Sequence, residues 1–245
     1  MTKVIITKAK GRIGRALVAC APNHAGLEVV GQIDQGDDLA AVIGSGDAVI
    51  DFSLHSATPG IADLCSKHGK SLVIGTTGHN DAEKSRITHH ASRIPIVWSS
   101  NYSTGVNTLF WLTCKAAEIL GPGYDLEVIE MHHRLKVDAP SGTALLLGQA
   151  AARGRDVALS DKSVRARDGI TGVRNDGAIG FASVRGGTVV GEHEVILAGP
   201  QERIMLSHVA EDRAIFARGA ITAAKWGQGK KPGLYAIADV LGLSD

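Results

Sequence analysis

Cysteine is scarce, aromatic residues are few, charge of either sign is not in excess, and no long apolar run occurs. The three cysteines, Cys20, Cys65 and Cys114, are widely spaced and odd in number, with no CxxC pair. That excludes a disulfide scaffold and reads as small buried hydrophobes in a reducing compartment. Phe, Trp and Tyr make up 4% of 245 residues, and 26 basic against 25 acidic residues leave a net charge of +1. Such a balance provides no field for a nucleic-acid backbone, so none is expected as a partner. No segment approaches the ~18 apolar residues that cross a bilayer, and the opening MTKVIIT enters a strand pattern rather than a signal peptide. The expectation is a cytoplasmic protein with no membrane partner. Proline, at 7 residues, is too rare to accompany the 30 glycines in any collagen-like repeat. The glycines instead mark turns where backbone comes close to something. A chain of this length buries roughly 70–75% of its unfolded surface, which suffices for one or two domains.

The first hundred residues alternate strand and helix signals. Val4–Ile6, Leu27–Asp34, Ala48–Phe52, Leu72–Gly75 and Pro95–Trp98 read as strands, with helices over Arg15–Ala21, Thr58–His68 and Ala82–Ala91. This is the α/β pattern of a Rossmann-like parallel sheet covered on both faces. After Asn107 the pattern changes. Leu109–Leu120 is helical, Leu126–Glu130 a strand and Ala144–Ala152 a helix, whereas 160–178 is polar and reads as a long loop. Strand candidates Gly180–Val184, Glu192–Leu197 and Arg203–Ser207 then predict a smaller α+β domain with an antiparallel or mixed sheet. The helix Ala214–Ala224 and a short element over Leu234–Leu241 follow. The expected division is a dinucleotide-binding domain over 1–103, completed by 214–245, and a second domain over 104–213.

Strand, glycine turn, helix and an acidic residue closing the next strand form a dinucleotide-binding signature, with Asp34 20 residues beyond Gly14. Glycines allow backbone to approach a pyrophosphate, and a helix N-terminus supplies amide donors. The turn reads Thr7-Lys8-Ala9-Lys10-Gly11-Arg12-Ile13-Gly14, with lysine where a first glycine is expected. Lys8 has two readings: a side chain pointing away or adding a cation beside the phosphates, or a strained turn with weakened binding. Asp34 repels a 2′-phosphate, which favours NADH over NADPH, although Lys8, Lys10 or Arg12 offset that repulsion. Gly75-Thr76-Thr77-Gly78 and Ser99-Ser100-Asn101-Tyr102 fall at strand C-terminal ends, the edge where open α/β sheets bind ligands. Ordinary loop chemistry is the alternative for each. Tyr102 offers a ring face to a nicotinamide.

The densest chemistry lies in Glu130-Met131-His132-His133-Arg134-Leu135-Lys136-Val137-Asp138-Ala139-Pro140-Ser141-Gly142-Thr143-Ala144. Ser-Gly-Thr after Pro140 opens a helix whose amides suit a carboxylate, and Lys136 and two imidazoles lie just upstream. The pattern is an anion site beside a proton donor. Ser141 as a mere N-cap, with both histidines on a solvent-facing edge, is the alternative. A zinc site fails because adjacent strand histidines face opposite ways and no HxxxH or cysteine partner follows.

The segment EMHHRLKVDAPSGTA resembles the signature of the 4-hydroxy-tetrahydrodipicolinate reductase family. GRIG at 11–14, DFS at 51–53, GTTG at 75–78, SNYSTGVN at 100–107, GFASVRGGTVVGEH at 180–193 and GLYAIADVLGL at 233–243 have counterparts in the same order. The resemblance implies an NAD(P)H-dependent oxidoreductase of the diaminopimelate route to lysine, acting on a cyclic imine dicarboxylate as a homotetramer assembled through the second domain's sheet. It implies His132 as proton donor and acceptor and Lys136 as second donor. His133, Lys136, Ser141, Gly142 and Thr143 then hold two substrate carboxylates. It assigns cofactor contacts to Lys8, Ala9, Lys10, Gly11, Arg12, Ile13, Asp34, Gly75, Thr76, Thr77, Ser99, Ser100, Asn101 and Tyr102, and no metal. The family pattern has glycine at position 8 and commonly methionine at 13 and phenylalanine at 102. A cofactor-impaired, dicarboxylate-binding relative and a reductase of a related cyclic imine are the competing readings.

Overall fold

Apolar runs too continuous for a one-faced sheet become strands buried on both sides. In the computed structural model, which describes residues 1–243, the order is β1 (Thr2–Thr7), α1 (Arg12–Cys20), β2 (Leu27–Ile33), α2 (Leu39–Val42), β3 (Ala48–Asp51), α3 (Thr58–His68), β4 (Ser71–Ile74), α4 (Asp81–His89) and β5 (Pro95–Trp98). There follow α5 (Thr104–Leu120), β6 (Asp125–His132), α6 (Gly142–Gly154), α7 (Leu159–Lys162), β7 (Ser163–Val164), β8 (Ile179–Arg185), β9 (Gly191–Ala198) and β10 (Arg203–Ala210). The chain closes with α8 (Ala214–Gly227), β11 (Gly233–Tyr235) and α9 (Ile237–Leu241). Its described residues divide into two compact units, Met1–Thr104 with 213–243, and Gly105–Asp212.

In the first unit six parallel strands run in the order β11-β5-β4-β3-β1-β2. Alternate residues of β1 serve opposite faces. Val4 and Ile6 pack with Leu17 of α1 and with Ala220 and Ala224 of α8, while Ile5 packs with Ile61 and Ala62 of α3 and Ile87 of α4. Each such buried side chain is worth about 1.5–3 kcal/mol relative to exposure. Local chemistry sets the helix ends: Asn80 and Glu83 form a reciprocal capping box at α4, and α3 stops at Gly69, whose φ is +63°.

In the second unit the order β10-β9-β6-β8-β7 is mixed. β6 pairs antiparallel with β9 and parallel with β8. Leu126, Val128, Phe181, Val195 and Leu197 face inward onto Leu109, Leu147 and Ala151 of the helices. Gly148 makes room for Phe181, since a Cβ there would stand 2.4 Å from the ring. The expected loop over 160–178 is shorter than its polarity suggests. Leu159–Lys162 makes one helical turn and Ser163–Val164 pairs with Ile179–Gly180, so irregular chain begins at 165. Likewise α5 begins at Thr104, five residues before its first periodic leucine, because in its first turn Val106 is the single large apolar residue, set between Gly105 and Asn107.

Candidate active site

Two constellations carry chemistry, one in each unit. In the first, the glycine turn leaves β1 at the point where the chain, having placed β2 on one side of β1, crosses to place β3 on the other. That switch point is where open α/β sheets bind ligands. Lys8 has φ +52°, the left-handed region that favours glycine. The lysine therefore occupies the glycine conformation without being glycine. Gly14 is required by contact: a Cβ would stand 2.1 Å from the Lys8 carbonyl oxygen. The Asp34 carboxylate accepts from the Lys10 amide at 3.1 and 3.3 Å, and the Asp34 amide donates to Asp37 at 2.8 Å. A cleft of about 610 Å³ opens here, with Lys8, Lys10, Gly11, Asp34 and Asp37 at its polar side and Ile33, Leu39, Leu54, Ala57 and Ile61 at its apolar side. Ala9 is buried under the turn, Ile13 packs into the core, and Arg12 is exposed.

Behind the cleft, Asp51 is fully buried and acts as a hub. Its carboxylate accepts from the hydroxyls of Thr7 at 2.6 Å, Thr58 at 2.8 Å and Thr76 at 3.1 Å, and from the Ser53 amide at 3.0 Å. One carboxylate thus fixes the ends of β1 and β3, the start of α3 and the 75–78 turn. Thr76 is buried through this bond and Thr77 is exposed. Gly75 serves packing, since a Cβ there would meet the Phe52 ring at 2.1 Å. Ser100 is exposed, the Ser99 hydroxyl accepts from the Ile237 amide at 2.8 Å, and the Asn101 side chain accepts from the Ser103 amide at 2.9 Å. Gly75–Thr77 and Ser99–Asn101 do not line the cleft. The ring-face role expected for Tyr102 is corrected by its burial. Tyr102 is 1% exposed, its ring edges Phe52 and its hydroxyl donates to the carbonyls of Ile74 and Val97 at 2.9 and 2.8 Å. A phenol that ties the ends of β4 and β5 has no face left for a ligand.

In the second unit, β6 delivers Glu130 and His132 to the same inward face. Glu130 is 1% exposed. Its carboxylate takes a bidentate Arg185 guanidinium at 2.7 and 2.8 Å, His132 Nδ1 at 2.6 Å and the Ser141 amide at 3.2 Å. Burial pushes the Glu130 carboxyl up, but Arg185, Ser183 and His132 outweigh it and hold the group at about 2. Burial depresses His132 below the usual imidazole range, against the raising effect of Glu130. His193 of β9 is 6% exposed, meets the His132 ring edge-on at 5.1 Å and is depressed to about 4, first by burial and then by His132.

Ser141 is the N-cap of α6. Its hydroxyl accepts from the Ala144 amide and lies 3.1 Å from His193 Nε2, so the residue is buried and already engaged. Gly142 is exposed, with nothing within 4 Å of where a Cβ would stand, and Thr143 and His133 are half-buried. Lys136 holds the Asp138 carboxylate at 2.8 and 3.0 Å. That contact shows the ammonium gripping a carboxylate beside the helix start. Sequence reading assigned no role to Glu130, Arg185 or His193. The i, i+2 spacing of Glu130 and His132 on a strand was the available signal, whereas Arg185 and His193 arrive only through strand pairing.

Comparison with known proteins follows this division. Residues 2–102 match the family profile described as "Dihydrodipicolinate reductase, N-terminus", and residues 105–241 match "Dihydrodipicolinate reductase, C-terminus". The 4-hydroxy-tetrahydrodipicolinate reductase of Brucella abortus (strain 2308) is 50% identical, the alignment covering 98% of this chain and 99% of that protein. The protein of the same name from Parvibaculum lavamentivorans is 48% identical, with 98% of each covered. Among solved structures, the dipicolinate-bound dihydrodipicolinate reductase of Paenisporosarcina sp. TG-14 shares the fold, with a TM-score of 0.82 at 24% identity over 98% of this chain and 99% of that one. The chain belongs to the dihydrodipicolinate reductase family.

Proposed function

We propose that this chain reduces 4-hydroxy-tetrahydrodipicolinate with NADH, His132 and Lys136 supplying protons and the start of α6 holding the substrate's carboxylates. The reaction class is that of its family, an oxidoreductase using a nicotinamide cofactor. The observation that carries the reading is the convergence of a buried imidazole, an ammonium already holding a carboxylate and a helix N-terminus with an exposed Gly142 within twelve residues. The solved relative whose name records bound dipicolinate, an aromatic ring with two carboxylates, supports that substrate class.

The residues of the cleft fit a dinucleotide. Lys8, Lys10 and Gly11 would lie at its phosphates and Asp34 at a ribose, with Ile33, Leu39 and Leu54 against the adenine. Asp34 and Asp37 together disfavour a 2′-phosphate, which supports NADH. A bound nicotinamide would supply the hydride. The protein's own part is charge and protons. Gly142 and Thr143 at the helix start, with His133 and Lys136, bind a dianion, and Ser141 supports them as the cap. His132 is neutral near pH 7 at rest, and a dianion beside it favours the imidazolium, which then donates from Nε2. A self-associating chain, tetrameric as the resemblance implies, completes the reading.

The test pairs calorimetric titration of NADH and NADPH with NADH oxidation in the presence of enzymatically generated cyclic substrate. NADH binding tighter than NADPH and substrate-dependent oxidation are expected, and pyridine-2,6-dicarboxylate should compete with substrate. Failure of the folded protein to bind either cofactor would overturn the reading in favour of a dicarboxylate-binding relative. Turnover without competition by the dicarboxylate would point to a different ring substrate.

A further inference from the structure

We propose that Glu130, fixed by Arg185, is the positioning residue of His132: it holds the imidazole in the Nδ1–H tautomer and leaves Nε2 as the nitrogen that exchanges protons with substrate. The proposal rests on the acid–base reading of His132 and adds the group that governs it. A carboxylate is acceptor-only, and Glu130 Oε2 stands 2.6 Å from His132 Nδ1, so the proton between them belongs to Nδ1. Glu130 stays ionised because Arg185 grips both its oxygens from the neighbouring strand.

Nε2 is left clear by a glycine. A Cβ on Gly191 would stand 3.0 Å from it, so any other residue would crowd the reactive nitrogen. The charged and titratable groups facing the ring come from several elements. They are Glu130 on β6, Arg185 on β8, Lys136 on the following loop and His193 on β9, with His208 of β10 opposite His193. Glu130 is the one anion among them, hence the single group that stabilises the imidazolium against two cations and burial. Its second oxygen also accepts from the Ser141 amide, which registers the acid–base nitrogen against the helix start with one rigid carboxylate. In the donating step the Nε2–H bond breaks with its electron pair left on Nε2, the proton takes up the pair that hydride addition has pushed onto the substrate ring, the Nδ1–H bond to Glu130 persists, and solvent reprotonates Nε2.

The tautomer is read directly by side-chain ¹⁵N correlation spectra of the histidines in the full-length protein. A protonated Nδ1 and a pyridine-type Nε2 for His132 near neutral pH are expected, and an Nε2–H tautomer overturns the proposal without reference to turnover. Glu130→Gln keeps the shape and removes the charge. We expect kcat to fall between about 10- and 100-fold and NADH affinity to hold. The alkaline limb of the kcat profile should move to lower pH, because a donor that loses its raising partner is deprotonated earlier. Glu130→Asp should restore the limb in part. An unmoved limb in a folded Glu130→Gln variant overturns the proposal, since a merely structural carboxylate would alter yield or KM and leave that pH unchanged. Should that variant fail to fold, the wild-type tautomer still decides. Absence of turnover in a wild type that shows the expected tautomer would instead fault the substrate assignment.

Discussion

Lys8 concentrates at one position the conflict between backbone and side chain. An L-residue in the left-handed region costs about 1–2 kcal/mol, and Lys8 stands there at φ +52°. Glycine would remove that strain, at a cost of about 0.5–1 kcal/mol in added unfolded-state entropy. The difference favours Lys8→Gly by up to about 1.5 kcal/mol, or at most roughly 3–6 °C in Tm for a chain of this size. The expected result is a modest rise in Tm by calorimetry with NADH affinity unchanged or tighter. Marked weakening of NADH binding would instead show the lysine acting as a phosphate ligand whose benefit exceeds its strain. The position was conspicuous in the sequence because the signature demands glycine there. The opposite holds for Asp51, whose three threonine donors come from residues 7, 58 and 76 and meet only when β1, β3 and the two following segments share a sheet edge.

Among the elements, the irregular segment after β7 owes its course to arginines anchored on β6. Arg174 donates to Glu127, Asp125 and the carbonyls of Leu126 and Ala178, while Arg167 forks onto both Glu127 oxygens at 2.8 Å. Gly180, directly across the parallel pair from Glu127, is glycine because a Cβ would meet that carboxylate at 1.9 Å. Burial raises the Glu127 carboxyl, yet the bonds from Arg167 and Arg174 outweigh it and leave it below its usual value. A depressed folded value means anchoring that is present above the ordinary glutamate pKa and lost as pH falls through the folded one. Arg174→Ala should therefore raise hydrogen exchange over 165–178 at neutral pH while β6 and β9 stay protected, and acidifying the wild type should reproduce the effect. Loosening of the whole sheet would contradict a local anchor. The contrast in legibility has the same origin. β1, β3, β4 and β5 were readable because both their faces are apolar, and β6 and β9 because they alternate. The four-residue α2 and α7 and the two-residue β7 are too short for any period to register, and strand order and pairing leave no trace in composition. Hence His132 and Lys136 stand out in the sequence as candidates, whereas Arg185 and His193 join the Glu130–His132 group only through strand pairing.

For the molecule as a whole, one face of the second unit's sheet carries apolar side chains that are exposed or half-buried among the described residues. Opposite the inward residues, the alternate positions of β8 and β10 present Val184 at 45%, Met205 at 51% and Val209 at 58% exposure, with half-buried Ile129, Met131 and Ile196 between them. A sheet face left to water carries mainly polar side chains, whereas this one carries six large apolar ones beside its charged residues. Glu192 and Glu194 stand among these apolar side chains on β9, with Arg203 at the end of β10, and exposed apolar area set among charged groups is a feature of protein interfaces. A second copy of the same face fits because a two-fold interface must be self-complementary, and both charge signs lie on this one. The expected outcome is an oligomer by sedimentation velocity whose assembly is lost or reduced in a Met205→Glu, Val209→Lys double variant. Both substitutions sit on the outward face, away from Glu130, His132 and His193, so the variant should keep its fold by circular dichroism. A wild type that sediments as a monomer, or a variant that assembles as before, would remove this face as the assembly surface.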